Sequence, residues 1–97
     1  MLDTVAIEGR ITVNNSDGMR RKLLAALRSR PAQVIVELSQ TTYMDSSGLA
    51  TLLEAVRIAR KQGTRLLLAG VSGQPRCLFE VGQIDRVFEF VTEETNG

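Results

Sequence analysis

The residues whose types and spacing could carry chemistry lie together in the segment Met44–Leu49, which reads MDSSGL. Asp45 supplies a carboxylate, and Ser46 and Ser47 supply hydroxyl groups that could accept a phosphoryl group. The residues that follow have helical spacing, and a helix N-terminus presents unpaired backbone N–H groups and the positive end of the helix dipole. A phosphoryl group placed there would meet backbone donors that are free to bind it. This is the physical argument for a hydroxyl in this segment as a phosphoryl acceptor.

The same segment has a simpler interpretation as a helix cap. Asp and Ser are preferred N-cap residues, because their side-chain oxygens accept hydrogen bonds from the first backbone N–H groups of a helix. Gly48 would then serve to permit an unusual backbone angle. On spacing alone the cap is favoured over the phosphorylated switch, and both interpretations stay open at this point.

Catalytic chemistry is restricted by the composition, because the chain has one cysteine and no histidine. No Ser/His/Asp or Cys/His constellation can form, and a zinc site would need an almost all-carboxylate shell. A hydrolase that used Ser47 would lack a base to activate it. Cys77 shares a predicted inward helix face with Leu78 and Val81, so we expect a buried thiol. The segment Gly70–Gly73 lacks the P-loop lysine and the dinucleotide glycine spacing. We expect no enzyme activity, no metal and no cofactor.

The elements that must position the Met44–Leu49 loop follow from apolar periodicity and from turn residues. In chain order they are a hairpin over 4–7 and 11–13, a helix over 16–30, a strand over 34–38, a polar loop over 41–47, a helix over 47–62, a strand over 66–69, a short helix from Ser72 to Gly82 and a last strand over 87–91. Strands that alternate with helices imply right-handed crossovers and parallel pairing.

The predicted fold is therefore α/β, with the order β-β-α-β-α-β-α-β in a single domain over residues 1–97. We expect a mixed, mostly parallel sheet of about five strands. The two long helices should pack on it through the faces of Leu23/Leu27 and Leu52/Val56. The strand over 34–38 shows little alternation, which is typical of burial on both faces.

Charge and hydropathy restrict the partners. The formal net charge is +1, which gives no argument for nucleic acid or for an anionic membrane surface. The first ten residues, MLDTVAIEGR, do not have the pattern of a secretory signal. The apolar stretches are far shorter than the roughly 20 residues that a membrane-spanning helix needs. We expect a cytoplasmic protein without direct membrane insertion.

The D-S-S-G-L string of residues 45–49, after one strand and before a long helix, resembles the signature of STAS domains. More narrowly, the chain is similar to bacterial anti-sigma factor antagonists of sporulation and stress-response pathways. The similarity extends along nearly the whole chain. It includes Glu8–Ile11 in the hairpin, Lys61–Gly63 at the helix end and the strand over 66–69.

This resemblance favours the switch over the cap. In the family, the second serine of the string is phosphorylated by a partner that is both an anti-sigma factor and an ATP-dependent kinase, and the matching residue here is Ser47. Phosphorylation is expected to switch off binding to that partner. The expected partner surface is the loop, the exposed flank of the following helix and the turn after the second strand: Asp45, Ser46, Ser47, Gly48, Leu49, Glu54, Arg57, Thr12 and Asn14.

Two departures from the family pattern stand out. Thr12 occupies the place of an aspartate that usually lies near the partner surface, and the chain ends soon after its last predicted strand, so we expect the family's final helix to be short or absent. A second branch of the same fold is also similar to this chain. Its members are small STAS subunits that bind the ATPase of a bacterial lipid-transport ABC complex, and in them the hydroxyl need not be phosphorylated.

Overall fold

The order of elements in the computed structural model, which describes residues 2–84 and 86–91, begins with two strands and then alternates helices with strands. The strands are β1 (Leu2–Ala6), β2 (Gly9–Ile11), β3 (Gln33–Glu37), β4 (Thr41–Met44), β5 (Arg65–Ala69) and β6 (Glu89–Phe90). The helices are α1 (Ser16–Arg28), α2 (Ser46–Gln62) and α3 (Gly73–Val81). The expectation of a short final helix concerns residues outside the described part of the chain.

The strands form two parallel arrangements. The first is a four-stranded sheet in the order β1-β3-β5-β6, in which Val5, Val36 and Leu68 lie side by side. The second is a pair, β2 and β4, in which Ile11 lies opposite Met44. Helical crossovers join the parallel strands β1, β3 and β5, as predicted from the alternation of strands and helices. The α/β class and the mostly parallel sheet are confirmed.

The predicted N-terminal hairpin is wrong. Strand β1 pairs with β3 and strand β2 pairs with β4, both in parallel, so β1 and β2 do not pair with each other. Between the two pairs, the Ile7 N–H donates to the Glu37 oxygen (3.1 Å) and the Gly9 N–H to the Gln40 oxygen (2.8 Å). Gly9 has φ +81°, and the register shifts between it and Arg10. The glycine therefore bends the chain and does not reverse it.

Strand β4 occupies the first part of what the sequence indicated as a polar loop over 41–47. Thr41 and Met44 are buried, whereas Thr42 is exposed and Tyr43 half-buried. The Tyr43 ring also packs beneath the Arg10 guanidinium across the pair, 4.4 Å from its centroid. A strand with only two buried positions carries little apolar signal, so its polar sequence is typical of a loop.

The predicted helix faces are confirmed, because Leu23, Leu27, Leu52 and Val56 are all buried in one core. Helix α1 ends two residues earlier than predicted, at Arg28, and α2 begins one residue earlier. In β3 the side chains alternate, with Val34 and Val36 fully buried and Ile35 half-buried. Burial of this strand on both faces was therefore a wrong prediction, since only one face is fully covered.

The face that α3 buries also differs from the prediction. Pro75 and Phe79, four residues apart, point into the core, and the Phe79 ring stacks on Phe88 with a centroid distance of 5.2 Å. Cys77 is exposed and Val81 is 83% exposed, so the predicted buried thiol is wrong. The buried face of α3 is set by its largest apolar side chain, since burial of Phe79 removes more apolar surface from water than burial of Cys77 or Val81 would. The last strand is also shorter than the predicted 87–91.

Candidate functional site

The loop between β4 and α2 contains one carboxylate that organises its surroundings. Asp45 is the N-cap of α2, and its Oδ1 atom accepts hydrogen bonds from the backbone N–H groups of Ser47 (2.9 Å) and Gly48 (3.3 Å). Two of the backbone donors that a helix start leaves unpaired are satisfied in this way. The cap interpretation of the sequence is therefore confirmed for Asp45.

Asp45 also binds a segment that is distant in sequence. Its Oδ2 atom accepts a hydrogen bond from the Val13 N–H at 3.1 Å, across 32 positions of the chain. Its own backbone N–H donates to the Ile11 oxygen at 3.0 Å, as the last bond of the β2–β4 pair. One residue thus joins the start of α2 to the turn that follows β2.

The Ser47 hydroxyl donates to the Asp45 carboxylate, with 2.5 Å between Oγ and Oδ1. This is a short, charge-assisted hydrogen bond. The Ser47 hydroxyl is the main cause that holds the pKa of Asp45 below its ordinary value, and the N–H groups of Gly48, Ser47 and Val13 add to it against the opposing effect of desolvation. Asp45 therefore stays ionised at neutral pH. The sequence-based expectation that Ser47 lacks a base was wrong, because Asp45 is in contact with its hydroxyl. A carboxylate with a lowered pKa is, however, a weak base.

Three backbone donors at the start of α2 that were expected to be free for a phosphoryl group are already occupied. The N–H groups of Ser47 and Gly48 donate to the Asp45 side chain, and the Leu49 N–H donates to the Asp45 carbonyl oxygen at 3.2 Å. A phosphate on Ser47 would have to compete with Asp45 for them. For these three groups the expectation of free donors was wrong, because the cap and the anion site use the same N–H groups.

Gly48 is required by close packing and not by an unusual backbone angle, which corrects the sequence-based interpretation. It is buried in α2, and its φ is not among the positive values of the chain. A Cβ atom added to it would lie 2.6 Å from Met44 Cγ and 2.9 Å from Ile11 Cγ2. The first turn of α2 therefore rests directly on the Ile11–Met44 level of the β2–β4 pair.

Thr12 and Asn14 lie in the turn after β2, on either side of Val13, whose N–H group binds Asp45. The Thr12 oxygen accepts from the N–H groups of Asn15 (3.0 Å) and Ser16 (2.8 Å), and its Oγ1 atom accepts from the Asn14 N–H (3.2 Å). Thr12 thus shapes the turn. Val13 was not predicted as a site residue, since its β-branched side chain follows Ile11 and Thr12 and is typical of a strand end. Its side chain is 73% exposed beside Asp45. The turn-forming residues that follow it, Asn14 and Asn15, could have indicated that Val13 belongs to the turn.

The remaining predicted residues are not equally accessible. Ser46 is exposed and Ser47 and Leu49 are half-buried. Glu54 is bound by both oxygens to Arg20 of α1, at 2.8 and 3.0 Å, and this hydrogen-bonded guanidinium is the main cause that lowers the pKa of Glu54. Glu54 is therefore engaged in joining the two helices, whereas Arg57, one turn further along α2, is exposed. Within residues 2–84 and 86–91, no group of three acidic or thiol side chains is placed to hold a metal ion.

Comparison with known proteins adds family information to this geometry. The family model described as STAS domain matches residues 3–96. An anti-sigma-B factor antagonist of Bacillus subtilis is 28% identical over 93 residues, which cover 96% of this chain and 84% of that protein. An anti-sigma-B factor antagonist of Listeria monocytogenes is 33% identical over 64 residues, and the match covers 64% of this chain and 56% of the length of that relative.

Solved structures share the fold. The anti-sigma factor antagonist SpoIIAA in its unphosphorylated form aligns with a TM-score of 0.69 at 20% identity, over 93% of this chain and 78% of its own. The phosphorylated form of SpoIIAA, from Bacillus, gives 0.68 at 22% identity, over 94% and 83%. The STAS domain of a SulP transporter from Vibrio cholerae gives 0.65 at 20% identity, over 94% and 73%. In the described part of this chain, no helix has the length and apolar character to span a bilayer.

Proposed function

The chain belongs to the STAS domain family, and we propose that within this family it is an anti-sigma factor antagonist. It acts as a protein-binding module and not as an enzyme. Its partner is a kinase-type anti-sigma factor, and binding is switched off when Ser47 is phosphorylated. Anti-sigma-B factor antagonists among its relatives support the coarse assignment.

The observation that carries the proposal is the hydrogen bond between Ser47 and Asp45. The carboxylate that accepts the Ser47 hydroxyl also holds the Val13 N–H, so the hydroxyl lies where the start of α2 meets the turn after β2. Both segments present exposed side chains, those of Ser46 and Val13. A partner that covers this junction would contact both segments and would approach the half-buried hydroxyl between them.

Phosphorylation at this position would change the surface strongly. It removes the O–H donor that Asp45 accepts and adds roughly 1.5 to 2 negative charges at neutral pH. The new charge lies beside an ionised carboxylate, because the pKa of Asp45 is lowered. A partner surface that accepts a neutral hydroxyl would have to desolvate this group, which costs several kcal/mol unless cations face it. Unmodified Ser47 therefore binds and phosphorylated Ser47 releases. The relative SpoIIAA has been solved in both forms.

Catalysis by the chain itself is disfavoured by the same geometry. Asp45 is the carboxylate in contact with the Ser47 hydroxyl, and a carboxylate with a lowered pKa holds protons too weakly to act as an efficient general base at neutral pH. The sequence also has no histidine to take that role. Phosphoryl transfer to Ser47 is accordingly assigned to the partner, which brings the ATP.

The test is to incubate the chain with the kinase-type anti-sigma factor encoded in the same genome and ATP, and to map the phosphate by mass spectrometry. We expect phosphate on Ser47, stable binding of Ser47→Ala and release of Ser47→Asp. Ser46→Ala is the matched control, because Ser46 is exposed and, among the described residues, its hydroxyl makes no hydrogen bond to Asp45, whereas that of Ser47 does. No phosphate on either serine, together with stable binding of Ser47→Asp, would contradict the switch.

The surface around the switch is tested by reversing one charge. Arg57 is exposed on α2, whereas Glu54 is bound to Arg20. Arg57→Glu should weaken binding of the anti-sigma factor and leave the thermal unfolding midpoint nearly unchanged. A variant that loses stability instead of affinity would place Arg57 outside the partner surface.

A second candidate function is binding to a transport protein. The fold is shared with the STAS domain of a SulP transporter, and the sequence also resembles subunits that bind the ATPase of a lipid-transport ABC complex. In this function a hydroxyl at Ser47 contributes to the contact without being phosphorylated. Capture of a transporter ATPase by both the unmodified chain and Ser47→Asp, without capture of an anti-sigma factor, would favour it.

A further inference from the structure

The β2–β4 pair has two outer edges, because among the described residues neither strand has a second neighbour in its sheet. Ile11 and Met44 lie opposite each other in this parallel pair. The backbone groups of Ile11 face β4, as the bond from Asp45 N to the Ile11 oxygen shows. Alternation along a strand then turns Arg10 and Thr12 outward on one edge and Met44 outward on the other. Open strand edges of this kind are usually covered or protected.

The side-chain amide of Asn15 covers the β2 edge. Its Oδ1 atom accepts from the Thr12 N–H at 2.8 Å, and its Nδ2 atom donates to the Arg10 oxygen at 2.8 Å. These are the two groups that an added strand would bind. Asn15 is also the N-cap of α1, but its side chain makes no cap hydrogen bond there. Its amide therefore serves the strand edge and not the helix.

The side-chain amide of Gln74, in the first turn of α3, covers the β4 edge in the same manner. Its Oε1 atom accepts from the Met44 N–H at 2.8 Å, and its Nε2 atom donates to the Met44 oxygen at 3.0 Å. Both amides thus act at the level where Ile11 faces Met44. At this level the two-stranded pair is completed by one amide on each side.

We propose that Asn15 and Gln74 are positioning residues for the Ser47 site. The Asn15 amide fixes the chain just before Val13, and the Gln74 amide fixes the residue just before Asp45. The hydrogen bond between Val13 and Asp45 links the turn after β2 to the start of α2. The distance between them depends on both strand ends being fixed. The proposal rests on the proposed function only in treating Ser47 as the functional site. The positions that Asn15 and Gln74 give to Val13 and Asp45 are a property of the free chain.

The experiment uses NMR on the free full-length chain and needs no partner protein. The variants are Asn15→Ala and Gln74→Ala. The control is Asn14→Ala, which removes the same amide from the same turn, where Asn14 is bonded through its backbone N–H. The measured quantities are the solvent-exchange rates of the Val13 and Val36 amides and the pKa of the Asp45 carboxyl group.

We expect Asn15→Ala and Gln74→Ala each to speed exchange at Val13 by about tenfold, in line with the loss of one hydrogen bond of typical strength. The pKa of Asp45 should rise toward its ordinary value in both. The core amide of Val36 should keep its rate, since a purely structural loss would speed it in parallel. Asn14→Ala should change none of these.

Unchanged exchange at Val13, or a change that only parallels Val36, would overturn the proposal for the variant concerned. These outcomes are independent of the proposed function. Failure of the anti-sigma factor to bind would leave the NMR result standing, and a failed NMR result would leave the phosphorylation of Ser47 untouched.

Discussion

The close approach of α2 to the β2–β4 pair predicts opposite effects for the same substitution at two helix starts. Gly18 and Gly48 are each the third residue of their helix, α1 and α2. Neither has a positive φ, so alanine fits the backbone at both positions. They differ in their surroundings: a Cβ atom on Gly18 would meet nothing within 4 Å, whereas one on Gly48 would lie 2.6 Å from Met44 Cγ.

The magnitudes follow from two opposing effects. Alanine is favoured over glycine in a helix by up to about 1 kcal/mol, and this gain applies to both variants. At Gly48 the added methyl group overlaps Met44 at Cγ, in the middle of its side chain, and Ile11 at Cγ2, the methyl group fixed to its branched Cβ, so neither contact can easily swing away. Such overpacking costs about 1–3 kcal/mol. Gly18→Ala should therefore stabilise the fold by roughly 0.5–1 kcal/mol, and Gly48→Ala should destabilise it by up to about 2 kcal/mol.

The assay is urea denaturation and thermal unfolding of both variants beside the parent chain. For a domain of this size, about 1 kcal/mol moves the melting temperature by roughly 4–8 °C, so the two variants should move in opposite directions by measurable amounts. Gly48→Ala should also shift the NMR signals of Ser47, because the first turn of α2 must lift from the strands. Stabilisation of Gly48→Ala by as much as Gly18→Ala would refute the close-packing argument.

Three further predictions concern stability. Leu52→Ala should lower the free energy of unfolding by about 2–5 kcal/mol in chemical denaturation, because Leu52 is fully buried. Leu53→Ala should lower it clearly less, because Leu53 is half-buried, and equal losses would contradict the assigned helix face. Arg20→Ala, which removes the exposed pair with Glu54, should cost less than about 1 kcal/mol in the same assay. The lowered pKa of Asp45 stabilises the fold above the ordinary carboxyl value of about 4 and loses this effect as pH falls through the lowered value, so acid titration of Asp45→Asn should lack that step.

The helices could be predicted from the sequence because their signals are local. The apolar stripe from Leu49 to Ala59 repeats at helical spacing, Gly63 ends α2 with φ +79°, and the resulting prediction of 47–62 differs from the observed Ser46–Gln62 by one residue. In α1, Leu23 and Leu27 lie one turn apart on the buried face. Each of these features depends on residues within a few positions of one another.

The pairing of the short strands could not be predicted, because it depends on distant contacts. Thr41–Met44 is a strand through its pairing with Gly9–Ile11 and through the amide of Gln74, 30 positions after Met44. The bond between Asp45 and Val13 spans 32 positions. No local spacing rule reports contacts of this kind. The occupied donors at Ser47 are a different case, because the bonds from the Ser47 and Gly48 N–H groups to Asp45 are local and the cap interpretation of the sequence already implied them.

The inventory of bonds at Asp45 explains how a phosphate on Ser47 would change a surface without changing the fold. Of the groups that donate to the carboxylate, three are backbone N–H groups and one is the Ser47 hydroxyl. Phosphorylation removes the hydroxyl donor, and the three N–H bonds that cap α2 and hold the Val13 turn do not require it. Leu52 and the other core residues are not part of this network. The added charge would therefore repel Asp45 at the surface, in the place where a partner would cover both segments, while the core persists.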